Sequence, residues 1–459
     1  MDDLINKLRE VLGDDGVLSS GEISSRACSY WDSSPLRARV LLRPRSTAEV
    51  SAVLAICHGQ GAHVITHGGL TGCVNGVEVS SDQVILSLER MNAVEDIDPI
   101  GRTATVQAGA ILQTVQEEVA GHGLAFPLDL GARGSCTIGG NVSTNAGGIN
   151  VIRHGMMRDL VLGVEAVLAD GTVISAMNQM LKNNAGYDLK QLFIGSEGTL
   201  GVVTRVVLRL RRASTSLDTA LVALPDFAAV CHLLSQAQSE LGDNLCAYEV
   251  MWGDYYRAVT APGWHRPPLD RIHPFYVILE SRGVDVERDS ERFLALLQRE
   301  LESGSVVDAV LPKSEAERTS LWNVREDFEA ITIHQPTFLY DVSLPIRHMQ
   351  EYIERVQTAV SQSWPEGCCQ VLGHIADGNL HLFITPNAAG SQLHVDVDSC
   401  VYSPLSDYGG SVSAEHGIGR EKKGWLEHSR SAAEVQLMKT LKRALDPANM
   451  LNPGVVFDL

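Results

Sequence analysis

"CTIGGNVSTNAGG", residues 136–148, sets two glycine pairs around a run of Asn, Val, Ser and Thr. Glycine tolerates positive φ and lets main-chain N–H groups approach an anion closely; Thr, Ser and Asn add side-chain donors, so the composition suits a diphosphate cradle. Alone, such a stretch reads equally well as a pair of tight turns. Two more clusters, "THGGLTGCVNG" (66–76) and "GSEGTLG" (195–201), change the balance, because all three fall within residues 66–201 of a 459-residue chain. None has the G-x-G-x-x-G form of a dinucleotide fold or the G-x-x-x-x-G-K-[ST] of a P-loop. The residues point to a large phosphate-bearing ligand in a non-Rossmann site.

Outward from these clusters, "LLRPRSTAEVSAVLAICHGQGAHVITHGG" reads as a loop, a capped helix from about Thr47, a turn and the short strand "HVIT". Strand-like runs such as "TATVQAGA", "LVLGVEAVLADGTVIS" and "LGVVTRVVLRLRR" follow, broken by Gly and Asp-Gly turns. From Ser214 the texture changes to strands alternating with long helices, as in "DTALVALPDFAAVCHLLSQAQSEL". This predicts an α+β sandwich with helices on one face of its sheet. The expected domains are 1–213, 214–425 and a C-terminal segment, 426–459, whose helix ends at an Asp-Pro.

The net charge of −19 argues against a nucleic-acid groove, which needs an excess of Lys and Arg. No run approaches the ~18 apolar residues of a membrane span. The opening "MDDLINKLREVLGDDG" reads as an amphipathic helix without the features of a secretory signal, so a cytoplasmic location is expected. Nine scattered cysteines show no C-x-x-C pair and no iron–sulfur spacing, which fits reduced thiols; the neighbours Cys368 and Cys369 read as burial beside a strand rather than a redox switch.

A second informative stretch is "GHIADGNLHL" (373–382), followed by "SAEHGIG" (413–419). Residues seven apart on one strand face opposite ways, so His374 and His381 converge only if the Asp377-Gly378-Asn379 turn breaks the strand. Two such histidines can be unrelated, or a carboxylate such as Glu415 can complete a His₂Glu metal set with an open position. On a strand, His416 would then face away from Glu415 and be available for proton transfer.

"THGGLTG", "CTIGGNVSTNAGG", "LFIGSEGTLGVVT", "GHIADGNLHL", "SAEHGIG" and "LNPG" occur in the order seen in FAD-linked D-2-hydroxyacid dehydrogenases, which the chain resembles over nearly its whole length. That family lies within the vanillyl-alcohol-oxidase class of flavoproteins. The resemblance implies a two-part FAD-binding domain, an α+β substrate domain with an antiparallel sheet, and a helical tail returning to the flavin. It implies that Gly68, Gly69, Thr71, Gly72, Thr137, Gly139, Gly140, Asn141, Thr144, Asn145, Gly147 and Gly148 wrap the pyrophosphate. Glu197, Gly201 and Val202 would hold the adenosine side, and Asn452 would approach the flavin ring. His374, His381 and Glu415 would ligate a divalent metal, Zn²⁺ first and Mn²⁺, Fe²⁺ or Co²⁺ as alternatives. His416 would be the general base, and Arg325 would hold the substrate carboxylate, although spacing alone reads Arg325 as an i+4 ion pair with Glu329.

The chain departs from the family at several points. Leu70 stands where Asn or Gly is frequent, and covalently linked relatives place a His just after the double Gly, so FAD is expected to be non-covalent; His67 reads as structural. Relatives that oxidise D-2-hydroxyglutarate have Lys, Asn and Thr where this chain has Leu339, Phe383 and Glu329. The expected substrate is therefore a D-2-hydroxy monocarboxylate, D-lactate or a larger apolar homologue, with a D-2-hydroxyglutarate or glycolate enzyme, or the flavin subunit of a larger oxidase, as alternatives. A zinc hydrolase without redox chemistry is the reading from another class. With no iron–sulfur cysteines, electrons would leave to an external quinone, electron-transfer flavoprotein or cytochrome; a homodimer is the family-based expectation for assembly.

Overall fold

The β-branched runs "VLL", "VILS" and "VITH" form the strands Val40–Leu42, Val84–Ser87 and Val64–His67, paired in parallel with Val84–Ser87 in the middle. Parallel strands need a crossover, and between the two outer ones, Val40–Leu42 and Val64–His67, the helix Thr47–Gly59 supplies it, capped by Ser46, which accepts from the Glu49 N–H. The computed structural model, which describes residues 3–459, places these elements in the first of two compact units: Met1–Gly148, His154–Ala213 and Glu415–Leu459. A five-stranded antiparallel sheet joins them, in the order Val94–Asp98, Thr103–Gln107, Val202–Arg209, Val161–Val167, Val173–Ala176. The opening helix runs Asp3–Leu12 and buries Leu4 and Leu8, one turn apart, in the unit's core; Met1 and Asp2 lie outside the described residues.

The second unit comprises Ile149–Arg153 and Ser214–Ala414. Its seven strands run Asp308–Val310, Ser216–Leu224, Phe275–Gly283, Leu245–Trp252, Cys368–His374, Asn379–Thr385, Phe338–Ser343, every neighbour antiparallel. Helices cover both faces rather than the expected one. The long helices Phe227–Leu241, Val286–Ser303 and Met349–Ser363 pack on one side. Residues of Gly253–Val259, Glu315–Glu326 and Glu329–Thr332 share an apolar cluster with the other. The central strands have both faces buried, which is why they read as continuous apolar runs. Cys368 is exposed and Cys369 buried, as alternation along a strand requires.

The chain passes back into the first unit at Glu415, inside the stretch assigned above to 214–425. The cause is local: Ile418 and Gly419 donate to the Glu197 carboxylate and Arg420 donates to the Val74 carbonyl.

Candidate active site

In the first unit, the strand Val64–His67 delivers the chain into Gly68–Gly72, which lies backbone to backbone against residues 135–137; a Cβ on Gly69 would overlap the Ser135 carbonyl oxygen. "CTIGGNVST" turns out to be a helix, Ile138–Thr144, capped by the Thr137 hydroxyl, which accepts from the Gly140 N–H at 3.3 Å. The two clusters wall an open cavity of about 970 Å³. The sequence-selected cofactor residues all line it except Asn145, Gly147 and Gly148, and His416 lines it too. Those three shape the turn after the helix instead: Asn145 is its left-handed cap at φ +52°, and at Gly148, φ +114°, a Cβ would overlap the Asp129 carbonyl.

Among the described residues no main-chain N–H from Gly68 to Gly72 donates to a protein acceptor. A run of consecutive free donors beside a helix N-terminus is a nest for an anion, so the cavity fits the diphosphate of a dinucleotide. Leu70 adopts φ +57° within it, the left-handed conformation for which Asn and Gly are the ordinary occupants. His67 is 2 % exposed, with Nε2 3.0 Å from the Val77 carbonyl oxygen, and burial pushes its pKa down to about 4; it is a neutral structural donor. Asn452 joins two walls, accepting from the Thr66 N–H and donating to the Glu197 carbonyl.

In the second unit the register of four strands builds a polar row. His381 pairs with Leu372 and with Asp341, and His374 pairs with Glu249. Directly opposed residues share a face, as do residues two apart on one strand, so Glu249, His374, His381 and Asp341 point the same way. The Ile375–Asp377 turn with Gly378 at φ +89° reverses the chain, and the two imidazoles meet with ring centroids 5.4 Å apart at 78°. Glu249 and Asp341 were missed by sequence reading; their only signal is a single acid inside the otherwise apolar strands "LCAYEVMW" and "FLYDVS".

Glu249 Oε1 lies 2.7 Å from His374 Nδ1, and Arg325 Nη2 approaches His374 Nε2 at 3.2 Å. Arginine only donates, so Nε2 accepts from Nη2 and Nδ1 carries the proton; this is the tautomer of a metal-ligating histidine, with its Nε2 lone pair directed at Arg325 in this structure. Burial works to raise the Glu249 pKa, but its contacts with His374 and the Arg325 guanidinium overcome it and hold the carboxyl below the usual range. Asp341, fully buried, accepts from the Asn379 amide at 2.7 Å and from the Ala414 N–H at 3.0 Å, with His381 Nδ1 4.0 Å away. Glu415 and His416 follow Ala414 in an irregular bend, not a strand, so strand alternation does not govern their directions.

Arg325 comes from the last turn of Glu315–Glu326 and turns to Glu249 rather than Glu329, its Nε donating at 2.8 Å. Burial alone would lower its pKa, and the Glu249 charge raises it, so the guanidinium stays cationic. Leu339 and Phe383 are cross-strand partners on the same sheet face, and Phe383 packs against Phe328 and Tyr255 at ring distances of 5.3 and 6.0 Å. Glu329 starts a separate short helix and is exposed.

Two family profiles match the chain: an FAD binding domain over residues 38–176 and the C-terminal domain of FAD linked oxidases over 214–456. The chain is 40% identical to the D-2-hydroxyglutarate dehydrogenase, mitochondrial, of Bos taurus over 416 residues, covering 90% of this chain and 76% of the relative. It is 32% identical to the D-2-hydroxyglutarate dehydrogenase of Stutzerimonas stutzeri (strain A1501) over 461 residues, 99% and 98% of the two chains. Among solved structures, p-cresol methylhydroxylase with substrate bound superposes with a TM-score of 0.77 at 16% identity, covering 99% of this chain and 96% of that one. That likeness carries the fold, shared with the vanillyl-alcohol-oxidase-type flavoproteins. No helix among the described residues is long and apolar enough to cross a membrane. With both profiles in their expected order and relatives aligned over nearly its full length, the chain belongs to the FAD-dependent D-2-hydroxyacid dehydrogenases, oxidoreductases acting on a 2-hydroxy acid.

Proposed function

We propose that the protein oxidises a D-2-hydroxy monocarboxylate, D-lactate or a larger apolar homologue, to its 2-oxo acid, with non-covalent FAD and a divalent metal. The observation that carries the substrate assignment is the apolar wall Leu339–Phe383–Phe328–Tyr255, which offers no cation to a second carboxylate on the sheet face that holds His374 and His381. Desolvating an unpaired carboxylate against such a wall costs several kcal/mol, roughly 2–7 for a polar group left without a partner.

FAD, when bound, would supply an acceptor for the α-hydrogen as hydride, and a divalent metal would supply polarisation of the substrate hydroxyl. The roles of the chain's own groups follow from their chemistry. Glu249 fixes the tautomer of His374, whose side chain shares a sheet face with His381 and whose Nε2 would have to give up its contact with Arg325 Nη2 to reach a metal. We assign the metal to His374, His381 and Glu415, with Asp341 anchoring Ala414, the residue before Glu415. His416, at the wall of the flavin cavity, takes the hydroxyl proton as general base. Arg325, held cationic and oriented through its Nε by Glu249, keeps Nη1 without a hydrogen-bond partner among the described residues and offers it to the C1 carboxylate. Electrons then pass to an external acceptor, a quinone, electron-transfer flavoprotein or cytochrome. The cytoplasm is the compartment we assign, on the strength of nine cysteines none of which is joined in a disulfide, and a homodimer is the assembly we assign by family likeness.

The names of the relatives favour a second reading, D-2-hydroxyglutarate as substrate. Anaerobic bleaching of the flavin in metal-replete protein by D- and L-2-hydroxy acids of one and two carboxylates separates the two. Faster bleaching by D-monocarboxylates supports the assignment; a larger kcat/KM for D-2-hydroxyglutarate than for every monocarboxylate refutes it and leaves the enzyme class intact.

A further inference from the structure

Glu197 adopts φ +51°, a left-handed conformation that is strained for an L-residue with a long side chain. Such a residue is retained where its side chain has a task that others lack. Both carboxylate oxygens of Glu197 are taken by successive main-chain donors: Oε1 accepts from Ile418 N at 2.7 Å and Oε2 from Gly419 N at 2.8 Å. The carboxylate lies flat under Gly417, whose φ is +87°; a Cβ there would stand 3.0 Å from Oε1 and 3.1 Å from Cδ. The other side of the same loop is held as well, since Arg420 N donates to the Val74 carbonyl and Val456 N to the Gly419 carbonyl. Glu197 is itself fixed through its backbone, its N–H donating to Ser143 in the helix Ile138–Thr144 and its carbonyl accepting from Asn452.

We propose that Glu197 is a positioning residue for proton transfer: by clamping the Ile418 and Gly419 N–H groups it fixes the backbone that aims His416 into the flavin cavity. The inference rests on His416 being the base. It assigns to Glu197 a task beside holding the adenosine side of FAD, because both of its oxygens already accept main-chain donors of the protein. A carboxylate suits the task where an amide does not. It offers two acceptors to two neighbouring donors, whereas a glutamine offers one and turns its NH₂ against the other N–H.

The test compares Glu197→Gln with the parent holoenzyme and with His416→Gln, reading bound FAD per chain, the rate of anaerobic flavin reduction, and its pH profile. Glu197→Gln is expected to keep its FAD and a substrate KM within about threefold, while reduction slows by about tenfold or more. The limb of the pH profile that His416→Gln abolishes is expected to move. Reduction within about twofold of the parent with that limb unmoved overturns the proposal. So does a variant that loses FAD while its flavin-bound fraction reduces at the parental rate, since Glu197 would then serve cofactor retention alone. Should Glu197→Gln fail to fold, Gly417→Ala attacks the same clamp from the opposite side and carries the same expectations. Parental reduction by His416→Gln overturns the base assignment itself, whatever Glu197 does.

Discussion

Acidification should loosen the flavin-binding unit through His67. This residue closes the strand Val64–His67, one position before the Gly68–Gly69 turn, and is 2 % exposed with Nε2 at 3.0 Å from the Val77 carbonyl oxygen. Burial drives its pKa from the ordinary 6.5 to about 4, with the Val77 hydrogen bond opposing and the Arg26 charge assisting. The folded pKa lies below the unfolded one, so the unfolded chain takes up the proton first as pH falls. Stability is complete above the unfolded value and is lost progressively from about pH 6.5 toward pH 4. The whole gap corresponds to roughly 3 kcal/mol, of which about 2 kcal/mol disappears between pH 7 and pH 5. Urea unfolding followed by flavin release, at both pH values, in the parent and in His67→Gln, isolates the contribution, because every other titrating group cancels in the double difference. Glutamine keeps an N–H for Val77 and does not titrate. The parent should lose about 2 kcal/mol more than the variant on acidification; equal losses would refute the reasoning.

Leu70→Asn should stabilise the same unit by about 0.5–1 kcal/mol, read as a raised urea midpoint, because φ +57° is an ordinary conformation for Asn and a strained one for Leu; a lowered midpoint would sink this. Lys442 donates to Asp446 and to the Thr199 and Leu451 carbonyls, next to Asn452, and all of these contacts are buried. Lys442→Met should therefore cost about 3–5 kcal/mol by leaving Asp446 without its cation, and FAD content after dialysis should fall with it. For the metal, His381→Ala should lose bound metal and activity together, and His416→Ala should keep metal and lose flavin reduction. Equal metal loss in both, read by elemental analysis, would make His416 a ligand.

What was legible in the sequence was whatever is decided over a few residues. Gly69 and Gly148 announce themselves because close backbone approach and positive φ are local demands, whereas the Thr137-capped helix Ile138–Thr144 was hidden in a stretch whose glycines read as turns. The convergence of His374 and His381 followed from one turn, Asp377-Gly378-Asn379, between adjacent strands. The partners of those histidines were not legible. Glu249 precedes His374 by 125 positions, and Asp341 is 40 positions before His381; which strands lie side by side, and in what register, is settled by packing of both sheet faces rather than by either segment. Arg325 misled for the same reason. Spacing offered Glu329 at i+4, but the helix stops at Glu326 and the side chain turns to a strand instead. Helices on both faces of the seven-stranded sheet were likewise hidden: Gly253–Val259 and Glu329–Thr332 are too short to show a helical period, and the period of Glu315–Glu326 does not say which face it covers.

The missed residues also say why the row across this sheet belongs to a site and not to the core. Glu249, His374 and Arg325 are ionisable groups set into a face otherwise lined by Met251, Leu372, Phe383 and Ile278. Replacing a buried ionic set by apolar residues of similar volume is commonly neutral or stabilising by about 1–4 kcal/mol. A sheet under structural demand alone has no reason to keep such a set at its centre. Here the carboxylate fixes a tautomer on one side and orients a guanidinium on the other, the two tasks that the proposed hydroxy-acid chemistry would require of it.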